Sequence, residues 1–194
     1  MIELSGQLAS LSATYETYKG SWEGTFFYDW ARLCTRPDPV LFDRMQTFLH
    51  RLDATKNWAL LPFYMASAAE LSGRYGDMAT AAALLERATE LVDITGGRWC
   101  EAEITRLQAR FGARDPAEAA ALLDASLAKA RDQGAKLWEL RTAIQTAEVL
   151  RDQGNRTAAR DVLKPLFEWF SEGRNTPDYS TARALLAELE NCTS

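Results

Sequence analysis

The strongest constraint on this chain is a pattern that it writes more than once. Gly76-Asp77, Ala81 and Leu85 return as Gly154-Asn155, Ala159 and Leu163, an offset of 78 positions from Gly76 to Gly154. The offset also holds in the flanks, where Ala69, Glu70 and Leu71 are answered by Ala147, Glu148 and Val149. A middle copy, Asp115, Ala119 and Leu123, sits 38 positions after Asp77, Ala81 and Leu85. Self-similarity at a period of about 38–40 residues, with two helices per period, is the mark of a helical repeat array.

Each element of the pattern has a physical role. Gly at a helix end takes the left-handed conformation that other residues adopt only at a cost. Asp77, Asp115 and Asn155 then cap the next helix, their side-chain oxygens meeting N–H groups that have no partner inside the helix. Ala81, Ala119 and Ala159 are placed where two helices cross closely, and Leu85, Leu123 and Leu163 fill the seam to the neighbouring repeat. The middle copy has Arg114 where the others have Gly, with Gly112 two residues earlier, so its turn is expected to be built differently.

The apolar periodicity is helical almost throughout. Leu4, Leu8, Leu11, Tyr15 and Tyr18 share a stripe, as do Trp22, Phe26, Trp30 and Leu33, and Leu41, Met45, Phe48, Leu49 and Leu52. The spacing predicts about ten helices, over 3–18, 21–35, 38–54, 57–74, 77–94, 97–112, 115–133, 136–153, 155–172 and 179–191. Short breaks between them make consecutive helices antiparallel neighbours. Pro165 falls inside the ninth helix, where a local kink is expected because the apolar stripe continues through Leu166, Trp169 and Phe170. Trp169 and Phe170 are expected to dock the last helix. The chain reads as one domain, 1–194, with divergent helices over 1–56, repeats over 57–94, 97–133 and 136–172, and a capping helix over 177–191.

Composition narrows the function classes. A net charge of −5 without a long basic run argues against nucleic acid or an anionic membrane as the main partner. The longest apolar stretches, such as residues 58–65, are far short of a membrane span. The N-terminal MIELSGQLAS lacks the basic and apolar regions of a signal peptide. Three distant cysteines, Cys34, Cys100 and Cys192, fit free thiols in a reducing cytoplasm. In such a compartment the acceptor pattern Asn191-Cys192-Thr193 stays unglycosylated.

The Gly-Asp/Asn, Ala, large apolar, small order resembles the tetratricopeptide repeat. Ala81-Leu85-Ala88 and Ala119-Leu123-Ser126 follow it, and Ala159-Leu163-Leu166 follows it with a larger last residue. The period exceeds the usual ~34 residues, as in longer variants of the repeat. The resemblance implies a right-handed superhelical array of antiparallel helix pairs, an all-α solenoid.

A narrower resemblance rests on Arg98-Trp99-Cys100-Glu101-Ala102-Glu103, Trp138-Glu139-Leu140-Arg141, Arg151-Asp152-Gln153-Gly154 and Trp169-Phe170-Ser171-Glu172-Gly173. Thr176-Pro177-Asp178 and Ala184-Leu185-Leu186 extend it. These are similar to the C-terminal helical repeats of large bacterial signalling proteins, in which an adenylate/guanylate cyclase or winged-helix domain is joined to an ATPase of the AAA/STAND type. The likeness covers residues 57–191 and departs from the pattern near Phe111-Gly112. It implies that the repeats sense or scaffold while catalysis belongs to domains upstream. This chain itself carries neither a GxxxxGK[ST] phosphate loop nor a paired-carboxylate cyclase motif. A first helix at 3–18 with no partner before it is what a cut array looks like.

Few residues suggest chemistry of their own. His50 is the single histidine, beside the apolar stripe of the third helix, with no nucleophile or metal-binding neighbour in the pattern. It reads as structural or solvated, and no Cys/His spacing suits zinc. Cys34 and Cys100 read as small apolar fillers. Trp58, Trp99 and Trp138 stand near the start of successive repeats, where bulky filler is needed in the seam; a ligand cage is the competing reading.

In arrays of the tetratricopeptide kind the first helices line the concave face. The register places Phe63, Ala66, Glu70 and Arg74 there, then Glu101, Ile104 and Gln108, then Arg141, Ile144, Glu148 and Arg151. Of these, Phe63, Glu70, Arg74, Glu101, Gln108, Arg141, Glu148 and Arg151 are the expected partner-binding residues. The plainer reading of the charged ones is a solvated face of i,i+4 pairs. The expectation is a non-enzymatic, cytoplasmic interaction or sensor module without cofactor or metal. It would bind a protein or peptide, including upstream domains of the same polypeptide, or pair with a second copy through unpolar ends. A stand-alone adaptor or a receptor for a small ligand or signal peptide is the alternative.

Overall fold

The structure, a computed structural model, describes Gln7 and residues 18–191, and for 18–22 the backbone alone. The expected helix over 3–18, the Trp22 side chain and Cys192 with its acceptor pattern fall outside these described side chains. Among the described residues there are nine α-helices and no strand. They are α1 (Tyr18–Leu33), α2 (Pro39–Ala54), α3 (Leu61–Arg74), α4 (Met78–Thr95), α5 (Glu101–Phe111), α6 (Pro116–Asp132), α7 (Lys136–Asp152), α8 (Arg156–Trp169) and α9 (Pro177–Glu190). A short 3₁₀ turn, Arg98–Cys100, precedes α5. Neighbours in sequence pack as pairs: α1 on α2, α3 on α4, α5 on α6, α7 on α8 and α8 on α9. The chain divides into two compact units between Arg98 and Trp99.

The helix ends follow the local chemistry of the repeat. Gly76 and Gly154 have φ of +93° and +80°. In each turn the next N–H reaches back to close the helix end, Asp77 N–H to the Ser72 carbonyl at 2.9 Å and Asn155 N–H to the Leu150 carbonyl at 2.8 Å. Lys56 forms the same turn after α2 at φ +54°, with Asn57 N–H donating to the Leu52 carbonyl, although no glycine marks it in the sequence. The expected caps are all present. Asp77 accepts from Thr80 N–H, Asp115 from Glu118 N–H and Asn155 from Ala158 N–H. The middle turn differs as expected: Gly112 stays at φ −119°, and Arg114 bonds Glu118 through its backbone N–H and its guanidinium.

Some boundaries move. The helix expected over 57–74 begins at Leu61, with Pro62 in its first turn, where the missing N–H costs no helical bond. The helix expected over 155–172 ends at Trp169, where Phe170 turns extended. It runs unbroken through Pro165.

Unit one, residues 18–98, is built on rings. Phe26 is buried against Phe27, Phe48 and Tyr64, with centroids 5.5, 5.0 and 4.8 Å away. Leu41, Met45, Leu49 and Leu52 of α2 are buried as their stripe predicts. Ala81 and Ala88 disappear under α3, with Leu85 between them.

Unit two, residues 99–194, has an aliphatic core of Leu140, Ile144, Leu163, Leu166, Leu185, Leu186 and Leu189, with Ala143, Ala147, Ala159 and Ala182 at close approaches. Ala159 is fully buried, whereas Ala119 is only half-buried, so the middle copy crosses its partner less closely. Trp169 does not dock the last helix: it is 58% exposed, and the Lys136 ammonium lies 5.6 Å from its ring. Phe167 does that job, stacked on Tyr179 at 4.4 Å, with Phe170 packed on the core edge. Trp99 is 42% exposed and leans on Trp138 at 5.9 Å, so it covers a seam without filling one.

Candidate functional site

The expected binding residues divide between the two units. In unit one, Phe63 is half-buried beside Tyr64, and Glu70 pairs with Arg74 at 3.7 Å. In unit two nearly every expected charge is tied to another helix. Glu101 accepts from Lys129 at 2.5 Å, Glu148 faces Arg110 at 3.8 Å, and Arg151 reaches Glu188 at 3.1 Å. Arg141 donates to Glu103 at 2.9 Å and to both carboxylate oxygens of Asp178 at 2.9 and 3.1 Å. Gln108 is half-buried and also engaged. Ala66, Ile104 and Ile144, expected to line a groove, are buried.

Behind Arg141 lies a polar interior that the sequence pattern did not reveal. Glu103 is 3% exposed and Arg106 4% exposed, yet they form a two-pronged pair at 2.8 and 2.9 Å. Arg106 also donates to the buried Gln145 side-chain carbonyl at 3.0 Å. Burial pushes the Glu103 carboxyl up, but Arg106 and Arg141 together outweigh it and hold the group below its ordinary range. The buried Ser126 hydroxyl links the Ala102 carbonyl to Thr142. Every strong donor and acceptor here is spent on another, so the arrangement holds α5, α6, α7 and α9 in register.

An open site exists in unit one instead. A cleft of about 700 Å³ lies between α2 and α4, with α3 beneath. From α2 come Phe42, Asp43, Gln46, Leu49, His50 and Asp53; from α4 come Thr80, Ala83, Leu84 and Arg87. The α4 set is i, i+3, i+4 and i+7, one helical stripe. The α2 set is a stripe next to the core-facing one. Met65 and Ser72 form the floor with Tyr75 at its end. Ser72 is buried, and its small side chain leaves depth that a leucine would fill.

Both ends of the cleft are braced. At one, Phe42 meets Tyr75 edge to face at 5.9 Å, and the Tyr75 hydroxyl donates to the Leu33 carbonyl. At the other, Arg87 bridges from α4 to Asp53 of α2 with bonds of 3.0 and 2.9 Å, and pairs with Glu90 at 2.8 Å. Trp58, from the link before α3, donates its indole N–H to Asp53 at 2.9 Å. The Arg87 hydrogen bonds hold the Asp53 carboxyl below the usual range against the opposing effect of burial. The Thr80 hydrogen bonds do the same for Asp77 at the cleft rim. With Asp43 the lining of the cleft holds three carboxylates and one guanidinium.

The cleft offers charged and hydrogen-bonding side chains over an apolar floor. His50 is exposed, and no hydrogen bond joins it to a hydroxyl or thiol among the described residues. Among those residues no group of three His, Cys, Asp or Glu side chains could hold a metal ion, and no helix is long and apolar enough to cross a membrane. Cys100 is fully buried, its thiol pushed up to about 12 by burial, so it is inert as a nucleophile. Comparison with protein-family models, with curated proteins and with solved structures found no match to this chain.

Proposed function

We propose that this chain is a non-catalytic interaction module, a tetratricopeptide-like solenoid that holds a segment of a partner protein and serves as the regulatory part of a signalling assembly. The observation that carries the reading is the α2/α4 cleft: an apolar floor of Leu49 and Met65 under a polar rim. Its volume of about 700 Å³ also suits a small ligand, and a receptor role is the second reading. Repeats of this period in a cytoplasmic cyclase or ATPase regulator would supply the setting. Random-peptide display on the folded full chain, followed by calorimetry of the enriched peptides, tests the module. Saturable binding of an enriched peptide family at micromolar Kd is expected, and no enrichment over an unrelated helical protein rejects it. X-ray scattering tests the solenoid: a radius of gyration no larger than the about 16 Å of a compact chain of this length speaks against an extended array.

A further inference from the structure

We propose that the α2/α4 cleft takes an amphipathic helix of a partner protein that carries a basic residue at the centre of its apolar face. The inference rests on the module reading and adds the chemistry of what is bound. Two helices form the walls and a third the floor, and such a trough accepts another helix by packing its i, i+3, i+4 ridge into the gap. Leu49, Met65 and Leu84 give that ridge an apolar bed.

Charge then selects the occupant. The single guanidinium of the lining, Arg87, is consumed by Asp53 and Glu90. Asp77 is consumed in capping α4. Asp43 is exposed on the α2 wall, and among the described residues its carboxylate makes no hydrogen bond, the Thr47 hydroxyl reaching only its backbone carbonyl. Its carboxylate sits one turn from Gln46 in a lining that also holds Asp53 and Asp77 against the one guanidinium, so the cleft has a surplus of negative charge. A lysine or arginine from the guest helix meets Asp43 with Gln46 as second acceptor. An acidic segment, or a nucleic-acid backbone, meets repulsion instead.

The test compares display selections on the wild-type chain, on Ala83→Trp and on Asp43→Lys, with circular dichroism to verify each fold. Ala83 is exposed on the α4 wall, so the indole fills the trough without entering the core. Wild type is expected to enrich amphipathic basic peptides that bind at least tenfold more tightly than their Arg→Glu counterparts. Asp43→Lys should invert that preference, and Ala83→Trp should abolish binding. Amide NMR shifts on wild type should centre on Leu49, Met65 and Leu84. Peptides without basic residues, binding retained in Ala83→Trp, or shifts centred elsewhere overturn this inference and leave the module reading standing. No enriched peptide at all overturns both.

Discussion

The two units solve the same packing problem with different materials. Unit one closes around rings and aliphatic side chains, with one buried carboxylate, Asp29, held by Arg44 of α2, and leaves a trough between α2 and α4. Unit two sets beside its aliphatic core a buried network in which Glu103, Arg106, Gln145 and Arg141 satisfy one another. The difference bears on where binding can occur. A buried ion that surrenders its partner to a ligand is stranded in a low-dielectric interior. Unit two therefore has little to offer a guest without loosening itself, whereas Asp43, Gln46 and His50 of unit one stand at a surface where a guest adds contacts and removes none.

Breaking the charged interior should show the largest effect. Glu103→Ala leaves Arg106 buried with two of its hydrogen bonds unmet and removes one anchor of Arg141, at a cost of about 3–5 kcal/mol. Urea unfolding of the full chain reads this directly. Because the folded carboxyl titrates below its ordinary value of 4.5, its stabilisation is complete above that value and is lost as pH falls through the folded one. Acid should accordingly destabilise the wild type more than the variant.

The apolar counterpart in unit one is Leu85→Ala. Leu85 is 1% exposed in the seam of α4, and the truncation should cost about 2–4 kcal/mol. The same unfolding series should show no change of this cost between pH 4 and 7, since no titrating group is removed. If both variants answer acid alike, the contrast between the two interiors is wrong.

Gly154→Val isolates the turn from the packing. A Cβ at this position meets nothing within 4 Å, so space is not the obstacle. The cost is the positive φ alone, about 1–2 kcal/mol for a side-chain-bearing residue, and greatest for a β-branched one. Gly154→Asn should recover part of it, because Asn tolerates this conformation, and thermal melts of the pair measure the difference. Equal melting of Val, Asn and wild type would remove the turn from the account of the repeat.

That turn was legible in the sequence because its cause is local. A left-handed residue and a capping Asp or Asn lie side by side, so Gly76-Asp77 and Gly154-Asn155 announce themselves. Lys56 makes the same turn unannounced, since no glycine stands there to mark it. The buried crossings at Ala81 and Ala159 were legible through their repetition. The interior ions were not. Glu103 and Arg106 look like an ordinary surface i,i+3 pair, and only the close approach of α7 turns them inward. The cleft was half-legible: Phe42 and Leu49 widen the α2 stripe beyond what one neighbour needs. That α4 would stand away from α2 is a property of the α3 floor, set by Ser72 and the residues around it, and no spacing rule reports it.

The smallest expected effect falls on the brace at the end of the cleft. Arg87→Ala removes the bridge between α2 and α4, but the pair is partly solvated, with side-chain exposures of 33% and 27%, so the loss should stay below about 1 kcal/mol. The electrostatic consequence should be plainer than the energetic one. Without the guanidinium, Asp53 keeps only the Trp58 indole, and its carboxyl should titrate higher, back toward 3.8. Its stabilising contribution in the wild type is present above 3.8 and fades as pH falls through the folded value, so wild type and variant should converge in stability in acid. Carboxyl-detected NMR titration of Asp53 reads the shift. The same variant frees Asp53 as a second carboxylate at the trough beside Asp43, so basic peptides should bind it at least as tightly as they bind the wild type. If they bind it more weakly, Arg87 is setting the spacing of the walls and the trough depends on its brace, so that in unit one, as in unit two, an ion pair fixes how the helices stand.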